Sequence, residues 1–489
     1  MPLIKFSEWI PDAADFGNPG SITIKNALPA LNSYQPIGQL TSTTNALSAR
    51  PRGAIEAVDS ANNTFQYAGD AATLNVLSGS TWNDVSIIGG YSTGTEECWE
   101  FVRWKEKILA TNFTDNPQQI TFGGVNFSDL TTALRFRHIA VVRDFIVSGN
   151  TFDSTDGTVR DRVRWSAIND ETDWTVSPTT LSDFRNLKSG GGIQRIIGGE
   201  FGVICSERST WRMTFVGSPT VFQIDEVIPG VGSLAPGGVV ALGDTVYFMS
   251  ENGFVALRGG SSPEFIGAGR VDKFFRNDVD ENNFDRISSV ADPKSGRIFW
   301  AYPGSGNTAG TPNKIIIYDR TLNKWGYIEQ DVELLWRSGG VATTLEGLDS
   351  VSASIDALMP SLDDPQWKGG APLLSAFDSS FKNASFSGAP MTANLQTKEI
   401  QIFEGSRTRL NSFSTLIDGG SVIANVGSRN RQTDAFSFGP ALIQRSSGRF
   451  PSRSNAIFHR FDLTVSDNWK DAIGIQIDRN DAVKGEARG

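Results

Sequence analysis

A chain of 489 residues, 39% of them hydrophobic, is long enough to bury a large core, and at roughly 150 residues per domain it has room for about three domains or one large β domain with an appendage. Its only two Cys, Cys98 and Cys205, and its only two His, His138 and His459, lie far apart in sequence, which all but excludes a disulfide scaffold, structural zinc and most His-centred catalysis. A formal charge of −10 argues against a whole-body electrostatic grip on nucleic acid, but residues 401–489 carry 12 Lys and Arg against 9 Asp and Glu, so any basic surface is expected at the C-terminal end.

The start, MPLIKFSEWIPDAADFG, has acids and Pro where a signal peptide needs an apolar stretch, and no segment approaches the ~20 apolar residues of a membrane helix. The chain is therefore expected to be made and kept in a reducing cytoplasm, where the glycosylation-type triplets at Asn62, Asn112, Asn126 and Asn383 carry no meaning. Residues 1–50 are Pro-punctuated and read as an arm or a platform-associated segment.

From 51 to 344 short runs rich in Val, Ile, Phe and Trp alternate with Gly, Asn, Asp and Pro, the punctuation of strands and turns. One unit recurs, a polar turn followed by four to six mostly apolar residues: NNTFQYAGD, KEKILATN, VRDFIVSGN, GEFGVICSE, GDTVYFMSENG and SGRIFWAYPG. Their first apolar residues, Phe65, Ile108, Phe145, Phe201, Val246 and Ile298, are 43, 37, 56, 45 and 52 residues apart, close to the ~40–50 residues of a four-stranded propeller blade. A large β-sandwich or two stacked barrels would give similar spacing. A propeller of six to seven blades controls its edges better, because radially packed short sheets expose only short edges. A short helix fits VDKFFRNDVDENNFDRI. Residues 345–388 break the rhythm and read as an excursion and hand-over segment. Residues 389–489 read as a β-rich platform built from NLQTKEIQIF, NSFSTLIDGG, SVIANVGSR, AIFHRFDLTV and AIGIQIDR.

The chemistry-bearing motifs fail one by one. Gly90-Tyr91-Ser92-Thr93-Gly94 matches a nucleophile elbow in form, yet the elbow needs an α/β fold and a placed His. Asp278, Asp280 and Asn282 begin like a calcium loop, which then lacks its Gly at Asn283 and its closing Glu at Ser289. GGGIQRIIGG and GSGNTAG lack the residues that cradle phosphates. A pair of acids for glycoside hydrolysis is compatible with a propeller, but nothing nominates one. What remains is Arg407, Arg409, Arg429, Arg431, Arg445, Arg449, Arg453 and Arg460, a set suited to a subunit interface, a DNA-facing wall or ordinary surface.

Several long stretches then resemble one family in their shared order over residues 17–480. GNPGSITIKNALPA with ARPRGAIEAVD resembles its opening, and YAGDAATLNVLSGSTWNDVS and RVRWSAINDETDW resemble its early blades. WRMTFVGSPTVFQIDEVIPGVGSLAPGGVVALGDTVYFMSENGF is the block most like it, followed by VDKFF and DPKSGRIFWAYP. SLDDPQWKGG and FDSSFKNASFSGAPMTANLQTKEIQIFEGSRTRL resemble its passage into the C-terminal domain. The family is that of the tail nozzle, or tail-hub, proteins of short-tailed bacteriophages, also described as packaged-DNA stabilisation proteins. The resemblance implies an all-β propeller with an added platform, assembled in the host cytoplasm into a virion tail. It implies a ring, taken as a hexamer, below the portal and its adaptor, around a channel for double-stranded DNA that is bound without sequence specificity. It further implies contact with tail fibres or tailspikes, no catalytic residues and no cofactor. The alternative is a propeller enzyme or lectin acting on host-surface glycans.

Overall fold

The computed structural model describes residues 3–339, 354, 372–477 and 482–484. It is all-β, with one seven-residue α-helix, Asp272–Asp278, among the described residues. Five four-stranded antiparallel meanders follow in sequence over residues 53–84, 100–129, 134–186, 193–229 and 240–265, and a sixth set of four strands spans 288–329. The seventh blade is Leu334–Gly339, Pro372–Phe377 and Lys382–Ser385, with Thr41–Ala46 as its outer strand. The first strands of successive blades lie side by side, that of blade seven beside that of blade one, except that the first strand of blade four meets the 3-10 turn Pro236–Gly238 leading into blade five; the ring closes as a seven-bladed propeller.

The six recurring runs of the sequence are the second strands of blades one to six. These strands are buried on both faces: every residue of Gly202–Ser206 and of Thr245–Ser250 is buried. This is why they read as continuous apolar runs rather than alternating ones. The turns before them reverse the chain sharply, with Lys105 and Arg143 at φ 52° and Gly243 at φ 65°, the left-handed conformation of short hairpin loops.

Blade seven lacks the periodic signal because residues 340–371 separate its first two strands and its outer strand comes from the N-terminal arm. The propeller thus extends past position 344 and takes in part of 1–50. The excursion expected at 345–388 lies outside the described residues up to 371, residue 354 apart. The closing strand is held at a seam where Trp82 of blade one packs on Phe377 of blade seven, 5.7 Å between ring centroids. Thr44 joins both sides: its Oγ1 accepts from Trp82 Nε1 (3.2 Å) and from the Asn383 N–H (3.0 Å).

The rest of the arm is woven into the platform. Blade six continues as one 15-stranded sheet through Ala27–Pro29 and Tyr34–Pro36 to Phe458–Gln476, then Ala393–Gln396 and Thr23–Lys25. The platform's spine is Thr408–Arg429, 22 residues long, antiparallel to Phe458–Gln476. Val422, Ala424 and Val426 alternate inward, as do Phe461, Leu463 and Val465 on the facing strand. One hydrophobic core joins these residues to Trp9 and Ile24 of the arm, Phe254 of blade five and Trp300 and Trp325 of blade six. Burying side chains of two units in one core couples their stabilities, so propeller and platform form one packed body.

The expected helix is present, and the arm supplies its cap. The residue at its cap position is Val271, which makes no side-chain hydrogen bond, and Asp12 accepts from the Lys273 N–H (2.8 Å) and the Phe274 N–H (2.7 Å) instead. Loss of a cap carboxylate costs about 1–2 kcal/mol. Asp12→Ala is expected to lower the unfolding free energy measured in urea by that amount without changing oligomeric state, and an unchanged free energy would show that the helix does not need the arm.

Candidate functional site

Two places concentrate charge: the propeller axis and the platform edge. Residues 50–58 of blade one, 98–101 and 103 of blade two, 237 and 239–241 of blade five, 285–291 of blade six and 333–337 of blade seven line an axial cavity of about 570 Å³, together with Arg195 of blade four. These are the innermost strands and their approaches, so the cavity gathers residues from across nearly 300 positions of chain. Arg286 pairs with Glu333 at 2.6 Å. The Glu56 carboxyl, which accepts from Gln66 Nε2 at 3.1 Å, is pushed up to about 7 by burial despite that bond and the nearby Arg337. The Cys98 sulfur lies 3.5 Å from the Asp285 carbonyl, and burial raises its thiol pKa; Cys98 and Cys205 are both free.

At the cavity wall, blades two, three and four are tied by a buried charged knot. Glu100, 4% exposed, meets Arg195 Nη1 at 2.6 Å and accepts from His138 Nδ1 at 2.7 Å and the Ile139 N–H at 3.2 Å. His138 Nε2 donates to the Ile193 carbonyl at 3.0 Å. Burial would raise the Glu100 pKa, but Arg195, then His138 and the Ile139 N–H, outweigh it and hold the carboxyl below its ordinary range.

The eight platform arginines divide. Arg429 and Arg460 are turned into the chain: Arg429 pairs with Glu399 and Arg460 with Asp15 of the arm, the latter at 3.1 Å. Their guanidinium groups lie over the same Phe436 ring, 4.6 and 4.2 Å from its centroid. Arg407, Arg409, Arg431, Arg445, Arg449 and Arg453 are exposed. None of the eight lines the axial cavity.

The other motifs have structural places. Tyr91 of the elbow-like pentapeptide is buried in the connection between blades one and two, where its hydroxyl donates to Gln118 Oε1 at 3.1 Å. Asp278 pairs with Lys314 at 2.6 Å, and Asp280 caps the 3-10 turn Glu281–Arg286 by accepting from the Asn282 N–H. Among the described residues no group of three or more His, Cys, Asp or Glu is placed to hold a metal ion, and no helix is long and apolar enough to cross a membrane.

His459 sits on the inner face of the platform, fully buried, with no hydrogen-bond partner on either ring nitrogen among the described residues. Burial pushes its pKa down to about 4 from 6.5. In the unfolded chain the ring takes a proton near pH 6.5 that the folded chain refuses until about pH 4, so stability falls as pH drops across that window. The expected loss is about 3 kcal/mol. His459→Phe should flatten this part of the pH profile between pH 7 and 4.5 in urea unfolding, and parallel profiles would remove the imidazole from the account.

No protein-family model matches the sequence, and no curated protein shows significant similarity to it. Solved structures with some likeness include the Neurospora crassa Pan2 WD40 domain, 6% identical, with a TM-score of 0.39 over 73% of this chain and 96% of that one. A BBS1N–ARL6DN complex is 10% identical, with a TM-score of 0.39 over 73% and 98%. BamB from Moraxella catarrhalis is 8% identical, with a TM-score of 0.35 over 64% and 89%. At such scores these likenesses carry no argument, and the propeller is read from the chain's own sheets.

Proposed function

We propose that the chain is a structural subunit of a short-tailed phage tail, the nozzle that closes the head after packaging and passes double-stranded DNA at ejection. It forms a ring, taken as a hexamer, below the portal and adaptor and carries fibres or tailspikes. The observation that carries the reading is the single core shared by arm, propeller and platform, since a part that contains pressurised DNA must not hinge between its units. The ordered resemblance over residues 17–480 supports the same reading. So does the charge division: six exposed platform arginines are suited to pair with the body of a neighbour whose residues 1–400 carry a balance of −13. That acidic balance would also keep a bore from gripping phosphates.

The reading assigns no catalytic residue. Sedimentation of the chain alone and with the adaptor ring tests it: multi-copy binding to the adaptor is expected. A chain that stays monomeric beside the adaptor and binds or cleaves host glycans would replace the nozzle with a glycan-directed propeller.

A further inference from the structure

The first blade begins at Arg50-Pro51-Arg52, and both guanidinium groups reach one loop, residues 93–97. Arg52 Nη1 donates to the carbonyls of Thr93 (3.2 Å), Glu97 (3.4 Å) and Gly94, and Arg50 Nη2 donates to that of Thr95 (3.4 Å). Carbonyls orient a guanidinium but do not neutralise it. Neither Arg50 nor Arg52 forms an ion pair among the described residues, whereas Arg195, Arg286 and Arg297 are each matched to a carboxylate within 3.0 Å. Asp285, which lines the cavity with Glu56, Glu100 and Glu333, is not in salt-bridge contact with either, although its charge acts on Arg50. Burial, then the charge of Arg286 and after it that of Arg52, lower the Arg50 pKa below its ordinary value against the opposing effects of Cys98 and Asp285. Charges withdrawn from water are normally paired, so two adjacent half-buried guanidinium groups with no carboxylate in salt-bridge contact, at the edge of a cavity, leave a place for added negative charge.

We propose that the axial cavity is a binding site for a small phosphate-bearing molecule, with the phosphate held by Arg50 and Arg52. A phosphate dianion neutralises both charges, and its oxygens match the planar fork of each guanidinium. The cavity of about 570 Å³ has the volume of a small-molecule site, and Ile55, Val239 and Val290 offer apolar wall to the body of the ligand. Exposed Arg103 and Arg337 on the lining leave it reachable from solvent. The site is independent of the ring reading, because it belongs to a single propeller.

Isothermal titration of the full chain with pyrophosphate tests the proposal. Saturable binding at one site per chain is expected. Arg50→Gln and Arg52→Gln should each weaken it by about tenfold or more, the loss of one charge-assisted contact, while Arg50→Lys retains measurable saturable binding. The exposed platform variant Arg445→Gln should bind like the parent. A short DNA duplex, too wide to enter the cavity, should not displace the probe. Absence of saturable heat, parental affinity in correctly folded Arg50→Gln and Arg52→Gln, equal weakening by Arg445→Gln, or displacement by the duplex would each overturn it.

Discussion

Removal of residues 1–47 is expected to abolish the native fold. The truncation strips Thr41–Ala46 from blade seven and leaves the outer edge of Lys382–Ser385 without a partner. It removes Leu47 from the seam cluster of Trp82, Trp336 and Phe377, and it takes Trp9, Ile24 and Tyr34 from the shared core. Losing one large buried side chain costs about 2–5 kcal/mol, and four or more such losses exceed the total stability of about 5–15 kcal/mol of an ordinary domain. The open edge would add strand-to-strand aggregation. Size-exclusion chromatography and near-ultraviolet circular dichroism read the result, and a soluble monomer with native dichroism would contradict it. Thr44→Val gives a graded companion that still folds. It leaves the Trp82 indole N–H and the Asn383 N–H without their acceptor, for an expected loss of about 2–3 kcal/mol in urea unfolding.

The second large effect belongs to Glu100. Glu100→Ala leaves the Arg195 guanidinium without its carboxylate and removes the acceptor of His138 Nδ1 and the Ile139 N–H, at the junction of three blades. Breaking a buried ion pair from one side costs about 3–5 kcal/mol. Glu100→Leu combined with Arg195→Met should recover part of that loss, since the larger share of the penalty is the stranded charge. The exposed pair Arg160–Glu207, also at 2.6 Å, is the control: Arg160→Ala should change stability by no more than about 1 kcal/mol. Equal effects at the two pairs would show that burial does not set the strength of the knot. Because the folded Glu100 pKa is held down, its contribution is present above the unfolded carboxylate range and is lost as pH falls through the folded value.

The propeller was legible because one strand per blade is buried on both faces. Phe65, Ile108, Phe145, Val246 and Ile298 lie within second strands, and Phe201 directly precedes one. What stayed hidden is non-local. Nothing near Thr41–Ala46 says that its partner lies more than 330 residues away, and the first strand of blade seven is parted from its second by residues 340–371.

The platform was misread in a different way. Asp418-Gly419-Gly420 has the composition of a turn, and the sequence divides there into two strands. The structure instead carries one strand, Thr408–Arg429, through both glycines, at φ 76° and 72° with shifted pairing around Gly419. A Cβ on Gly420 would lie 2.8 Å from Trp469 Cβ, so these glycines admit a buried indole at a bulge rather than reverse the chain. Phe458–Val465 of AIFHRFDLTV and Ala472–Gln476 of AIGIQIDR likewise lie in the single strand Phe458–Gln476.

The charged sites follow the same division. The platform arginines were visible as a composition shift, but their roles were not, and Arg429 and Arg460 face inward because Glu399 and Asp15 meet them there. Arg50 and Arg52 carried no signal beyond the dipeptide spacing around Pro51, since a cavity assembled from inner strands of separate blades has no local pattern. His138 binds a glutamate from another blade, a pairing that its distance from Glu100 in sequence does not show.

Gold-labelled antibody against this chain, imaged by electron microscopy on purified virions, tests the nozzle assignment most directly. The account predicts label at the distal end of the tail, below the adaptor, in several copies around the tail axis. Particles without the chain, or label confined to the capsid shell, would contradict it.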